Sequence, residues 1–413
     1  MKNYKIVIAH PGQQHSYHSA IALKDDLDKY ITTQYYRKYH SYLWLMSLFI
    51  RNRNLKKRII ARHCDEINEK VVTYCTLKSL FSKVNYLPRI GYYKQFGKKV
   101  AKYAKKNKID AVIMYDTTAS ECFKYLENTK IVKILDVTIG SRIYAKKIYE
   151  TEMEKIKSDC FYKEYPDLWK PEYFLKFKNE IELADYAIVG SEYVKRTMIY
   201  SGMKEDKIYI VPYGSTPRDY IIKDFDNYDK RLELLFVGQV NYRKGVHRLL
   251  EVIERFDETK IHLKIVGEVN DSNGLFLKYK NDKRVTFTGL VPHNKIDEIY
   301  ASSDVFVLPS LSEGMARVGI EAMNCGLPII CTENTGINDL IENSKNGFVI
   351  PISDSEALYE KINWFLINRD KIEEMSNCAK ITAHKYTWNN YYKNYSNTIY
   401  EILEKENEKN INY

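Results

Sequence analysis

Glu313 and Glu321 stand with seven residues between them in Ser310-Leu-Ser-Glu313-Gly314-Met315-Ala316-Arg317-Val318-Gly319-Ile320-Glu321. The apolar run at 304–308 reads as a buried strand, and functional residues of α/β folds collect at the carboxyl ends of such strands. Gly314 lets a ligand come close to the backbone. The helix expected next presents free N–H groups at Arg317, Val318 and Gly319, which suit an anion. With a diphosphate on those N–H groups, the two carboxylates can accept hydrogen bonds from flanking sugar hydroxyls. Both residues also fit plain structural roles, Glu313 as a helix-dipole partner and Glu321 as a buried salt-bridge partner.

A second constellation is Phe236-Val-Gly238-Gln239-Val-Asn-Tyr-Arg243-Lys244-Gly245. A strand, a loop with two adjacent cations and a glycine-opened helix make a phosphate clamp. The alternative is an ordinary solvated basic loop. His10, His15 and His18 cluster around Gly12. No carboxylate or cysteine stands beside them, so a metal site is not expected; one of them is a candidate contact to donor or acceptor, and the alternative is that they are plain loop and helix residues. No Asp-x-Asp closes an expected strand, so no metal-bridged diphosphate is expected either.

These residues need a scaffold of strands ending in loops. Apolar runs predict strands at 4–9, 110–114, 131–137, 186–190 and 208–212, with a helix over 16–29, another from about 118, and Ser191 as the N-cap of a third. The alternation restarts with strands at 233–237, 261–266, 285–288, 304–308, 328–331 and 348–350. Strands alternating with helices imply doubly wound parallel sheets. The chain therefore divides into an N-terminal domain over 1–215, a C-terminal domain over 216–390 and a terminal helix over 391–413 that can pack back on the N-terminal domain. The polar stretch 224–231 reads as the linker. Two such domains in tandem place ligands in the cleft between them.

From about 233 to 358 the chain resembles the C-terminal, donor-binding domain of the retaining glycosyltransferases of family 4, which have the GT-B fold. The features occur in order: the Gly-x-x-x-x-x-Lys-Gly loop at 238–245, Val-x-Phe-x-Gly-x-Val at 285–291, Asp304-Val-Phe-Val-Leu-Pro-Ser310, the spaced Glu313 and Glu321, Gly326-Leu-Pro-Ile-Ile, Gly336 and Asn346-Gly347-Phe348. The N-terminal half is similar more loosely, at Glu182-Leu-Ala-Asp185 to Ser191 and at Ile210-Val-Pro-Tyr-Gly214. The resemblance implies two Rossmann-like domains and transfer of a sugar, with retention, from a nucleotide-diphosphate donor to a hydroxyl acceptor, either a polysaccharide or a lipid-linked glycan. It implies that Lys244, with Arg243 beside it, contacts the donor diphosphate and that Glu321 holds the ribose. Glu313 would touch the transferred sugar together with the amides of Gly314, Met315 and Ala316, and the main chain at Val291 would hold the base. Gly12 would let the N-terminal domain reach the donor. The sequence departs from the family at Gln239, where Arg is common, and at Met315-Ala316, where Phe-Gly is common. The usual histidine near the reacting carbon has no counterpart in Ile134-Leu-Asp136-Val-Thr138, where Asp136 is the polar candidate. Nucleotide-sugar 2-epimerases share this architecture and a non-catalytic nucleotide-sugar binder would share the clamp, but the paired glutamates favour transfer.

Composition narrows the partners. The chain has 413 residues, 45% of them hydrophobic, which fits two globular domains and excludes whole-chain disorder. No apolar run approaches the roughly 18 residues of a membrane span. Lys2 and Lys5 flank no continuous apolar segment, so no signal peptide is expected and the cytoplasm is the expected site. The seven cysteines are scattered and read as reduced thiols. Residues 1–110 carry 23 Lys and Arg against 7 Asp and Glu, and the apolar run 42–50 leads into a cationic block at 51–62. That pairing suits peripheral attachment to an anionic membrane surface. No nucleic-acid-binding signature accompanies the charge.

Overall fold

The structure, a computed structural model, describes residues 4–76, 79, 89–218, 230–269, 274 and 276–411. Among these residues, thirteen strands form two parallel sheets. In the N-terminal sheet, β1 (Ile6–Ala9), β2 (Leu27–Thr32), β3 (Val71–Thr73), β4 (Ala111–Tyr115), β5 (Val132–Val137), β6 (Tyr186–Val189) and β7 (Ile208–Ile210) lie in the order β3-β2-β1-β4-β5-β6-β7. In the C-terminal sheet, β8 (Leu232–Val237), β9 (Ile261–Val266), β10 (Val285–Gly289), β11 (Val305–Leu308), β12 (Ile329–Thr332) and β13 (Gly347–Ile350) lie in the order β10-β9-β8-β11-β12-β13. Every residue of β1, β4 and β11 is buried, which is why these strands read as continuous apolar runs and not as alternating ones. The strand order reverses between β1 and β4 and again between β8 and β11. Those two switch points are where an open parallel sheet leaves a crevice beyond its carboxyl ends.

The helix expected over 16–29 is shorter than its sequence pattern. It spans Ser16–Ala22, and β2 follows after a turn. Leu27, Tyr30 and Ile31 have helical i, i+3, i+4 spacing, so periodicity alone misreads them. Parallel pairing of Tyr30 and Ile31 with Ile8 and Ala9 decides the conformation. The three-residue β3 is too short to carry a period. The expected linker, 224–231, falls mostly on residues outside the described ones.

The chain crosses back to the N-terminal domain at Thr387, which bridges to Ser215. Helix Trp388–Ile411 then lies along helix Ser16–Ala22. Tyr391 OH bonds Ser19 Oγ at 2.9 Å, Tyr395 OH donates to Asp136 at 3.0 Å and Tyr400 OH donates to Asp26 at 2.5 Å. This row of tyrosines gives the helix an aromatic face whose hydroxyls find polar partners, as buried tyrosines require.

Candidate active site

The loops after β8 and β11 meet at one buried charge cluster. Gly245 sits at φ 68° and a Cβ there would drive into the Pro309 carbonyl, so only glycine lets the two loops touch. The contact brings Arg243 Nη1 to 2.5 Å and Lys244 Nζ to 2.7 Å from Glu313 Oε1. Arg243 also donates to the Ser312 carbonyl at 2.9 Å and to Tyr165 OH, on the N-terminal domain, at 3.1 Å. Burial alone would push the Glu313 carboxyl up, but the two cations outweigh it and hold the group below the usual carboxylate range. Burial lowers the Lys244 ammonium, against the pull of Glu313. Two cations against one carboxylate leave a surplus positive charge in a nearly dry site, which suits an anionic ligand.

The rest of the expected site is placed as follows. Glu313 and Gly314 form the seam between the domains. Gly140 N–H donates to the Glu313 carbonyl at 3.0 Å and Ser191 Oγ to the Gly314 carbonyl at 2.8 Å. A Cβ on Gly314 would enter the Thr138 carbonyl. Met315 is buried, and its sulfur accepts the Tyr213 N–H at 3.1 Å. The Ala316 N–H is already committed to the Thr335 carbonyl at 3.1 Å. Arg317 and Val318 open helix Arg317–Asn324 and have no intrahelical acceptor for their N–H groups. The Arg317 side chain turns away from Glu313 onto the Trp388 ring, 5.5 Å from its centroid. Glu321, one turn on, faces Arg218 at 3.8 Å and Arg317 at 3.9 Å. Val291 is half-buried in the loop after β10, on the rim of the same sheet end.

Across the seam, Gly12 lies beyond β1 with its N–H on His10 Nδ1 at 2.9 Å. Asp136 is not turned to the cleft. Its oxygens accept from Tyr395 at 3.0 Å and face His15 Nε2 at 3.1 Å, which ties β5 to the terminal helix. The polar residue at the cleft end of β5 is Thr138, whose N–H and hydroxyl both bond the Asp116 carboxylate, at 2.9 and 2.6 Å. Arg142 Nη2 approaches the other Asp116 oxygen at 3.4 Å. Between the domains opens a cavity of about 700 Å3 lined by Thr117, Arg142, Tyr149, Tyr173, Gln239 and Arg243 among others.

Sequence reasoning missed Arg218, Asp116, Arg142 and Glu152. Glu152, on helix Arg142–Ile156, is buried against His247 Nε2 at 2.7 Å and Arg248 Nε at 2.8 Å, at the start of the helix that Gly245 opens. These pairs join residues far apart in the chain, so no local spacing announces them. Among the described residues, no group of three or more His, Cys, Asp or Glu could hold a metal ion.

Residues 217–382 match the family of glycosyl transferases group 1. A sulfoquinovosyl transferase of Arabidopsis thaliana is 30% identical over 38% of this chain and 30% of its own length. A capsular polysaccharide biosynthesis glycosyltransferase, CapM of Staphylococcus aureus, is 30% identical over 45% of this chain and 53% of its own. The chain thus spans about a third to a half of the length of these two relatives. Among solved structures, sucrose-phosphate synthase from Thermosynechococcus elongatus superposes with a TM-score of 0.70 at 16% identity, over 97% of this chain and 99% of that one. Anabaena HepE in complex with UDP superposes at 0.62 and 15% identity, over 96% of this chain and 100% of that one. At such identities the superpositions speak for the fold, and the family match for the residues it covers: the chain has the GT-B fold, and its residues 217–382 match the glycosyl transferases group 1.

Proposed function

We propose that the protein transfers a sugar from a nucleotide-diphosphate donor to a hydroxyl of a polysaccharide or lipid-linked glycan, with retention, in the assembly of a bacterial surface polysaccharide. The reading rests above all on the Arg243–Lys244–Glu313 cluster, which sets surplus positive charge beside the open N-terminus of helix Arg317–Asn324. In this reading the cations and the N–H groups of Arg317 and Val318 stabilise the departing diphosphate, so no bridging metal is required. Glu313, kept ionised by its two cations, orients Lys244 and accepts from the sugar. Glu321 takes the ribose hydroxyls, with Arg218 holding its carboxylate in place. The rim at Val291 meets the base. Closure across Gly140 and Ser191 excludes water that would otherwise hydrolyse the donor. The solved relative HepE holds UDP and the relative CapM is a capsular polysaccharide glycosyltransferase, both in keeping with this donor class and context.

A thermal-shift panel of UDP-, GDP-, ADP- and CMP-sugars, run with and without EDTA, tests the donor. A true donor stabilises the fold by mass action, about 2.7 kcal/mol at a hundred times its dissociation constant. One nucleotide class is expected to raise the melting temperature equally in both conditions. No shift from any of the four would end the transferase reading. A shift that needs added Mg²⁺ or Mn²⁺ would end only the metal-independent part.

The same reading places the protein in the cytoplasm, held peripherally on the inner face of the membrane. Helix Tyr42–Phe49 supports this, because it buries little beyond Leu43 and Ser47 and leaves Leu48 55% and Phe49 79% exposed. Next to it, helix Arg53–Ile60 exposes Leu55, Lys56 and Lys57. No described helix is long and apolar enough to cross a membrane. Each cation near an anionic bilayer contributes up to about 1 kcal/mol, screened within a Debye length of about 8 Å. Co-sedimentation with anionic liposomes is therefore expected at low salt, with loss in concentrated NaCl and on replacing Lys56 and Lys57 by Glu. Equal, negligible binding to neutral and anionic liposomes would remove the membrane from the proposal and leave the transferase.

A further inference from the structure

Behind the large cavity, on the N-terminal side, lies a second one of about 290 Å3. It sits at the β1–β4 switch point and shares Tyr93, Thr117 and Thr118 with the larger cavity. None of its described lining residues is acidic. Among its described lining residues the one cation is Arg62, whose guanidinium makes no ion pair or hydrogen bond with any described residue. His10 lines it too. The Gly12 N–H donates to His10 Nδ1, so the ring proton is on Nε2 and available to an acceptor. Burial keeps this imidazole neutral, its pKa lowered to about 4.

The backbone around this cavity is also unusual. Gln14 has φ 41° and Thr117 φ 70°, both in the left-handed region that non-glycine residues avoid, a branched residue most of all. Thr117 is held there by the buried Glu180, which accepts its N–H at 2.7 Å together with those of Ala119 and Ser120, and by Lys176, which donates to its carbonyl. Backbone strain over-determined in this way gathers where a ligand is held.

We infer that this cavity is a phosphate subsite: Arg62 and His10 bind a phosphate or diphosphate carried by the acceptor, whose sugar end passes Tyr93 into the larger cavity. The inference rests on the transferase reading and deepens it. It makes the acceptor an anionic phosphate ester and not a neutral glycan. The helix Arg53–Ile60, with its exposed Leu55 and Ile60, ends beside Arg62, so the phosphate of an acceptor rooted in a membrane would reach this cavity directly.

The test titrates inorganic pyrophosphate into the full chain by calorimetry. Wild type is expected to show two classes of site. Lys244→Ala should remove the one at the donor clamp. Arg62→Gln should weaken the other at least tenfold, and Arg62→Lys should retain much of it. A single class of site, abolished by Lys244→Ala and untouched by Arg62→Gln, would overturn the subsite. The nucleotide-sugar panel above reads the donor site independently of Arg62, so failure of the transferase reading shows there and not here. Phosphatidylcholine vesicles with and without a polyprenyl diphosphate separate the two sources of phosphate. Arg62-dependent retention on the doped vesicles alone assigns a lipid headgroup, whereas binding of free pyrophosphate without retention assigns a soluble phosphate ester.

Discussion

Replacing Lys244 by alanine is expected to lower sugar transfer by roughly 10²–10³-fold, the effect of removing one preorganised donor from a developing negative charge in a dry site. The fold should survive. Glu313 keeps its 2.5 Å contact with Arg243, so no charge is orphaned, and the stability loss should stay near the ~1.5–3 kcal/mol of a charged hydrogen bond. The loss should appear in kcat and in the affinity for the free nucleoside diphosphate, because the proposed clamp directs the ammonium at the diphosphate and not at the acceptor. Arg243→Ala is a different experiment. That guanidinium also holds the Ser312 carbonyl and, across the seam, Tyr165 OH, so its removal should cost closure and stability together. Steady-state kinetics beside calorimetric nucleotide binding separates the two. Wild-type turnover and unchanged nucleotide affinity in Lys244→Ala would falsify the clamp.

The C-terminal sheet was readable because its inner strands are buried on both faces, while the edge strand β10 alternates with exposed Thr286 and Thr288, and both kinds end in a turn residue. Largely apolar runs stopped by Gly238, Gly267 or Pro309, and the alternating run stopped by Gly289, leave little room for another assignment. In the N-terminal sheet, β2 was hidden because Leu27, Tyr30 and Ile31 satisfy a helical spacing, and only their pairing with β1 makes them a strand. The site divides the same way. Glycine-led loops announce where a backbone must come close, so Gly245 and Gly314 were found. The partners of the charged residues were not legible, because Arg218 reaches Glu321 over more than a hundred residues and Glu152 reaches His247 and Arg248 across the domain seam. Asp136 shows the limit of position on a strand. It lies on the expected strand β5, yet its carboxylate serves Tyr395 and His15, while Thr138 at the strand end meets the cleft.

Glu313→Ala should be the most damaging single change at the site, for a reason that Lys244→Ala does not share. It leaves Arg243 and Lys244 buried side by side with no counter-charge, and breaking a buried ion cluster by removing one partner costs about 3–5 kcal/mol. Transfer should be lost, and urea denaturation should show the stability cost with an unchanged m-value. The double variant Glu313→Ala with Lys244→Met should recover part of the stability, since it removes one of the two stranded cations; additive losses would mean that the cluster is not coupled. The sign of the pH dependence follows from the depressed carboxyl. A group held below its unfolded value contributes fully above about pH 4.3 and loses that contribution as the pH falls through its folded value. The stability gap between wild type and Glu313→Gln should therefore be widest near neutrality and close progressively in acid. A gap of the same size at pH 7 and at pH 3 would mean that Glu313 acts through shape and hydrogen bonding alone, and that the charge balance proposed for the diphosphate site is wrong.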